Sequence, residues 1–231
     1  MKNAFIKLHI SILLAGFTGL FGKLITLNEG LLVWYRMMFA AVLLFTILKI
    51  SNKLQSIPLK EQLKIAGTGF ILGLHWVFFY GSIKMSNVSV GVVCFSLVGF
   101  FTALLEPLLI RRRFKIKELL FSLITVVGIL LIFRFDMRYR SGIIIGIISS
   151  ALAALFTITN KKVGAHHPSR IMLLYEMAGG FLGLSCLLPI YLYFFPVATI
   201  LPDINDFLYL LLLALVCTIG LYLLQIQVLK T

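Results

Sequence analysis

The sequence predicts an all-α fold, a polytopic bundle of membrane-spanning helices, and three observations carry that reading. Of 231 residues, 61% are hydrophobic and 13% charged, whereas a soluble domain is about half apolar and about a quarter charged. Mean hydropathy is +1.06, an excess that has no aqueous core to fill and needs lipid as solvent. The apolar residues also come in runs of membrane length. A hydrocarbon core of about 30 Å takes about 20 helical residues, and eight such runs fit the chain, at 8–27, 31–48, 65–83, 89–110, 117–133, 142–160, 171–195 and 207–229. They are apolar on both faces, which argues against barrel strands of alternating polarity.

Taken in order, the first run follows Lys2 and Lys7 and resembles a signal peptide with small residues at Ala15 and Gly16. The run continues past that point, so it is read as a span. The connections after it alternate in basic content. Five of them are expected on one side: the amino terminus, Lys49–Lys64, Arg111–Lys117, Lys161–Arg170 and the end at Lys230, together holding 15 Lys and Arg. The opposite connections hold Lys84, Arg134, Arg138 and Arg140, and Lys23 and Arg36 lie within runs. Cytoplasmic loops carry the Lys/Arg excess, which puts the amino terminus in the cytoplasm of a cell whose inner or plasma membrane the chain spans. Trp34, Tyr191 and Tyr193 then fall at the outer interface as an aromatic belt. The segment from Pro196 to Asp206 is the main outer loop. A net charge of +13 thus sets orientation and is not a nucleic-acid footprint. Cys94, Cys186 and Cys217 sit inside apolar runs without metal-ligand spacing and read as small hydrophobes.

Two halves of the chain can be overlaid. Leu20-Phe21 leads to Trp34-Tyr35-Arg36 as Leu155-Phe156 leads to Leu174-Tyr175-Glu176, and His75-Trp76 stands as far from Lys84 as Leu221-Tyr222 does from Lys230. The first half, 1–140, would hold five spans, an odd number, so the second, 141–231, enters the membrane from the other side. That is an inverted repeat, a plan of secondary transporters in which the substrate site lies near the midplane between the halves.

These features resemble an EamA-type member of the drug/metabolite transporter superfamily. The residues that carry the resemblance are Phe21-Gly22-Lys23, Tyr35-Arg36, Leu105-Glu106-Pro107 before Arg111-Arg112-Arg113, Val126-Val127-Gly128-Ile129 and Asn160-Lys161-Lys162. The resemblance implies ten spans in two inverted five-helix units and movement of small metabolites or drug-like solutes. This sequence has eight spans, so the second unit is expected to be incomplete, with its last two helices missing from a truncated chain.

Charged and polar residues at membrane depth usually face a cavity or a partner. Lys23, Arg36, His75, Trp76 and Glu176 are therefore the candidate substrate-binding residues. Arg36 lies about 9 Å into its span, within reach of the interface if it snorkels, so a cavity-facing and a structural role both stand. Lys23 is nearer the outer end. Glu176 sits at a similar depth from the inner side, about 12 Å from Arg36 along the normal. The two are expected to bracket a cavity rather than pair. Glu176 is a candidate proton carrier, since leaving water favours the neutral carboxyl, and its bland alternative is pairing with the Lys161–Arg170 loop. His75 and Trp76, beside Phe78, Phe79 and Tyr80, read either as an aromatic cavity wall or as ordinary packing. Glu106 is expected to pair with Arg111–Arg113, and Pro107 marks a hinge or a cavity lining.

Gly142, Gly146, Ser150 and Ala154 recur every fourth residue, as do Gly69 and Gly73, the spacing of close helix packing. No phosphate-binding glycine loop, catalytic triad order or metal cluster is legible, and His166-His167 stand without further ligands. The expected function is a secondary transporter of a small molecule, with no cofactor and no ATP-binding segment, its partners being its solute and the bilayer, with a homodimer left open. A membrane-embedded lipid-modifying enzyme and a non-transporting scaffold are the rival readings.

Overall fold

The computed structural model describes residues 2–133, 137–164 and 167–229. Arg134, His166 and Lys230, which the sequence reading invokes, lie outside them. Ten helices follow one another among these residues: α1 (Lys2–Leu24), α2 (Glu29–Ile50), α3 (Leu59–Met85), α4 (Val88–Phe95), α5 (Val98–Ile110), α6 (Ile116–Phe133), α7 (Arg140–Val163), α8 (Ser169–Phe194), α9 (Ile204–Ala214) and α10 (Leu221–Leu229). No strand occurs among the described residues.

Each expected run is helical, and two of the eight are broken helices. The fourth run divides into α4 and α5 at Ser96-Leu97, and the eighth into α9 and α10 through a turn of π-helix at Leu215–Gly220. Seven of the eight passes are long and apolar enough to cross a bilayer by length and composition, and α6, the fifth expected span, is helical over 18 residues.

Polar residues mark the helix starts. The Leu31 N–H donates to the Asn28 side chain at 2.8 Å, Val90 to Asn87 at 2.9 Å and Asp206 to Asp203 at 2.7 Å, each satisfying a donor that the first turn leaves open. The side chains facing outward are apolar, among them Leu13, Phe121, Ile124 and Leu131. In water such a surface would aggregate; in a bilayer it meets solvent of its own kind.

Helix α3 is the hub and packs along both α7 and α8. The small-residue stripes explain the approach. A Cβ on Gly69 would lie 1.9 Å from the Glu176 carbonyl oxygen and 2.6 Å from its Cα, so α3 and α8 cross with backbones nearly touching. On α7, a Cβ on Gly146 would lie 2.7 Å from the Cys94 Cβ, and the Ser150 hydroxyl donates to the Cys94 carbonyl oxygen at 2.7 Å. Small residues thus bring α7 against α3 and α4, where lipid gives helices no hydrophobic drive to associate.

One expected pairing differs, and one residue expected to stand alone has a partner. Glu106 does not pair with Arg111–Arg113; its ion partner among the described residues is Lys161 on α7, at 3.9 Å. Arg111 instead ends α5 in a left-handed conformation, φ 55°. That turn stops the helix, and α5 packs along α7, so the nearer cation lies across the interface rather than along the chain. His167 pairs with Glu61 and ties the α7–α8 connection to the first turn of α3. Among the described residues no group of three or more His, Cys, Asp or Glu comes together.

Candidate functional site

Arg36 sits eight positions past the Asn28 cap, about 12 Å along α2, and is completely buried. It does not snorkel. Three of its N–H groups donate to neutral acceptors. Nε bonds the Thr218 hydroxyl at 2.8 Å, Nη1 the Tyr80 hydroxyl at 2.7 Å and Nη2 the Cys217 carbonyl oxygen at 3.1 Å. Its guanidinium carbon lies 3.6 Å above the centre of the Trp76 ring, a cation–π contact strengthened by the absence of water.

The π turn makes this arrangement available. The Leu221 N–H is shared between the Thr218 and Val216 carbonyl oxygens and leaves that of Cys217 free of it. The Cys217 carbonyl oxygen faces Arg36, and Thr218 relays the contact by donating to the Leu213 carbonyl oxygen at 2.9 Å. Single π turns inside α-helices are frequent at functional sites. Here one presents a carbonyl and a hydroxyl to a buried cation.

Arg36, His75 and Trp76 line one cavity of about 430 Å³, within the range of small-molecule sites. Its walls come from α1 through α5, α7 and α10. Trp76 meets Tyr222 edge-on with ring centres 5.5 Å apart, and Tyr222 meets Phe156 at 6.2 Å. His75 Nδ1 lies 2.9 Å from both the carbonyl oxygen and the hydroxyl of Ser149; a carbonyl only accepts, so the contact is a hydrogen bond in the tautomer with a hydrogen on Nδ1. The Ser149 hydroxyl donates to the His75 carbonyl oxygen at 3.1 Å and closes the link between α3 and α7. Phe79 and Phe95 flank the imidazole with ring centres 6.0 and 5.5 Å away.

The other two candidates lie elsewhere. Lys23 is exposed in the last turn of α1 and does not line the cavity. Glu176 is fully buried in the α3–α8 crossing, and neither carboxyl oxygen has a hydrogen-bond partner. It pairs with none of the described residues of the Lys161–Arg170 loop. The adjacent Thr68 hydroxyl donates to the Ile65 carbonyl oxygen at 2.7 Å. Arg36 and Glu176 form no ion pair, and Tyr222 lies within electrostatic reach of both.

Part of this region escapes sequence reasoning. Tyr80, read with His75 and Trp76 as cavity wall or packing, holds Arg36 by its hydroxyl, whereas nothing in the eighth run singles out Thr218 or the Cys217 carbonyl. Asp206, by sequence the end of an outer loop, is buried and knits the helix ends together. It accepts from the Thr26 N–H at 2.9 Å, the Thr26 hydroxyl at 2.7 Å and the Leu27 N–H at 3.2 Å. Lys84 donates to the Ile25 carbonyl oxygen at 2.9 Å and Tyr191 to Glu29 at 2.7 Å. The α1–α2 connection is thereby latched to α3 and α9, and the start of α2 to α8, on one side of the cavity. The legible clue is an acid, Asp206, at the border of the eighth run, three residues after Asp203.

Membrane-length helices around a partly polar cavity define a multi-pass helical membrane protein. The EamA-like transporter family matches residues 3–134, and the chain belongs to that family; it is a membrane transporter. A solved crystal structure aligns with a TM-score of 0.67 and 16% identity, over 99% of this chain and 80% of that one, a likeness of fold. Comparison with curated proteins returns no match.

Proposed function

We propose that the chain is a secondary transporter that carries a small metabolite or drug-like solute across the inner or plasma membrane, and that the cavity around Arg36, His75 and Trp76 is its substrate site. The observation that carries this reading is the cavity itself, about 430 Å³ of space walled by five of the bundle's passes and by the π turn's neighbour α10. The latch of Asp206, Lys84 and Tyr191 supports a conformation closed toward the α1–α2 connection. With the amino terminus cytoplasmic, as the basic loops favour, that is the outer side. Alternating access then consists of releasing this latch while the opposite end closes. Glu176 is the candidate proton carrier and Lys23 a candidate for the outer approach. The two inverted halves, 1–140 and 141–231, frame the site.

The test uses the full chain in proteoliposomes loaded with a mixed metabolite extract and no nucleotide. Loss of particular solutes, measured by mass spectrometry against protein-free vesicles and blocked by excess of the same solute outside, is the expected result. Retention of every solute favours the scaffold, and turnover of the vesicle lipids favours the enzyme.

A further inference from the structure

The cavity has a sign. Its eighteen lining residues include one permanent charge, the guanidinium of Arg36, and no aspartate or glutamate. Glu176 is buried outside the lining. Every hydrogen-bond acceptor of Arg36 among the described residues is neutral, two hydroxyls and one carbonyl oxygen, and a ring face covers it. No carboxylate pairs with it among the described residues. A buried cation held by dipoles alone is poorly compensated, and removal from water is costly unless a counter-charge arrives.

The guanidinium also has donors to spare. Of its five N–H groups, three are engaged, one each on Nε, Nη1 and Nη2. One remains on each terminal nitrogen. Two guanidinium N–H donors can meet the oxygens of a carboxylate, and such charge-assisted bonds are about twice as strong as neutral ones. A cationic solute would meet like charge with no acid to receive it.

Beside this charge the wall is aromatic, with His75, Trp76, Phe79, Phe95, Phe156 and Tyr222 on the lining. Neutral hydrogen-bonding groups, Thr18, Thr157 and Gln225, complete it. A flat apolar body fits such walls by offset and edge-on ring contacts.

We propose that the transported solute is a small organic monoanion with a flat, aromatic or unsaturated body, its carboxylate seated on Arg36 and its body against Trp76. This deepens the reading of the cavity as substrate site and rests on it.

The chain has two tryptophans, which provides a local readout. Trp34 donates to Ser185 and does not line the cavity, so the Trp34→Phe protein reports on Trp76 alone. The probes are 4-nitrobenzoate, 4-nitrobenzamide and 4-nitrobenzylamine, a matched anion, neutral and cation whose nitro ring quenches indole fluorescence. The purified full chain is titrated in nanodiscs and the saturable quenching recorded. The anion should half-saturate at a concentration at least about tenfold below the amide, with the amine weakest. In Arg36→Gln, anion and amide should become equal; in Arg36→Lys, which keeps the charge, the anion should stay ahead. Saturable quenching with the amide or amine equal to or ahead of the anion in the Trp34→Phe protein overturns the proposal while the cavity remains a binding site. That comparison needs no Arg36 variant, so a misfolded substitution cannot obscure it. Absence of saturable quenching by all three probes removes the site reading and the proposal with it.

Discussion

Replacing Asp206 by alanine should open the transporter on the side of the α1–α2 connection. The carboxylate is buried and takes the Thr26 N–H and hydroxyl at 2.9 and 2.7 Å and the Leu27 N–H at 3.2 Å. Hydrogen bonds to a charged group contribute about 1.5–3 kcal/mol each. They share one carboxylate and do not add fully, so about 3 kcal/mol is a reasonable loss for the set. If these contacts exist only in the latched state, the latched-to-open ratio falls about 150-fold, at about 1.4 kcal/mol per tenfold. The assay is accessibility of a single cysteine at Thr18, a cavity residue, in a background with Cys94, Cys186 and Cys217 replaced. A membrane-impermeant maleimide applied from the α1–α2 side should label it slowly with Asp206 intact and at least about tenfold faster with Asp206→Ala. Equal rates, with a control cysteine at Asn28 labelling normally in both proteins, would refute the latch.

Other outcomes follow from named contacts. Single cysteines at Lys115 and Asp203 in intact cells should label from outside at 203 and not at 115; the reverse pattern would invert the orientation. Gly69→Leu drives side-chain atoms into the Glu176 backbone, an overpacking that costs about 1–3 kcal/mol or more, and should lower the thermal midpoint of the purified protein; an unchanged midpoint would mean that α3 and α8 do not cross so closely. Arg36→Ala and Glu176→Gln should each reduce transport in proteoliposomes at normal insertion, and unchanged kinetics in both would remove these residues from the working machinery.

The spans were legible because lipid imposes a length and an apolar composition on every helix that crosses it, and the glycine stripes because close backbone approach admits no larger residue at Gly69 or Gly146. Arg36, His75 and Trp76 stood out because polar and aromatic residues at membrane depth need a reason. What holds Arg36 was not legible. The π turn lies in Leu215–Gly220, where no residue type announces it, and the contacts it offers Arg36, the Cys217 carbonyl and the Thr218 hydroxyl, are tertiary. Glu106 paired with Lys161 rather than its sequence neighbours because helix-to-helix distance, invisible in spacing along one chain, decides which cation is near. Asp206 looked like loop because hydropathy ranks an acid as outside, whereas several donors around one carboxylate make its burial tolerable.

The central claim is that solute passes through the cavity beside Arg36, and filling that cavity tests it most directly. Thr157 lines it from α7 and is only partly buried, so Thr157→Trp adds bulk toward the open space with little displacement of packed neighbours. The measurement is efflux, from proteoliposomes of matched protein content, of the solutes that the unaltered chain releases. The account predicts that Thr157→Trp abolishes that efflux while Thr157→Ser preserves it. Efflux by the tryptophan variant at the unaltered rate would contradict it.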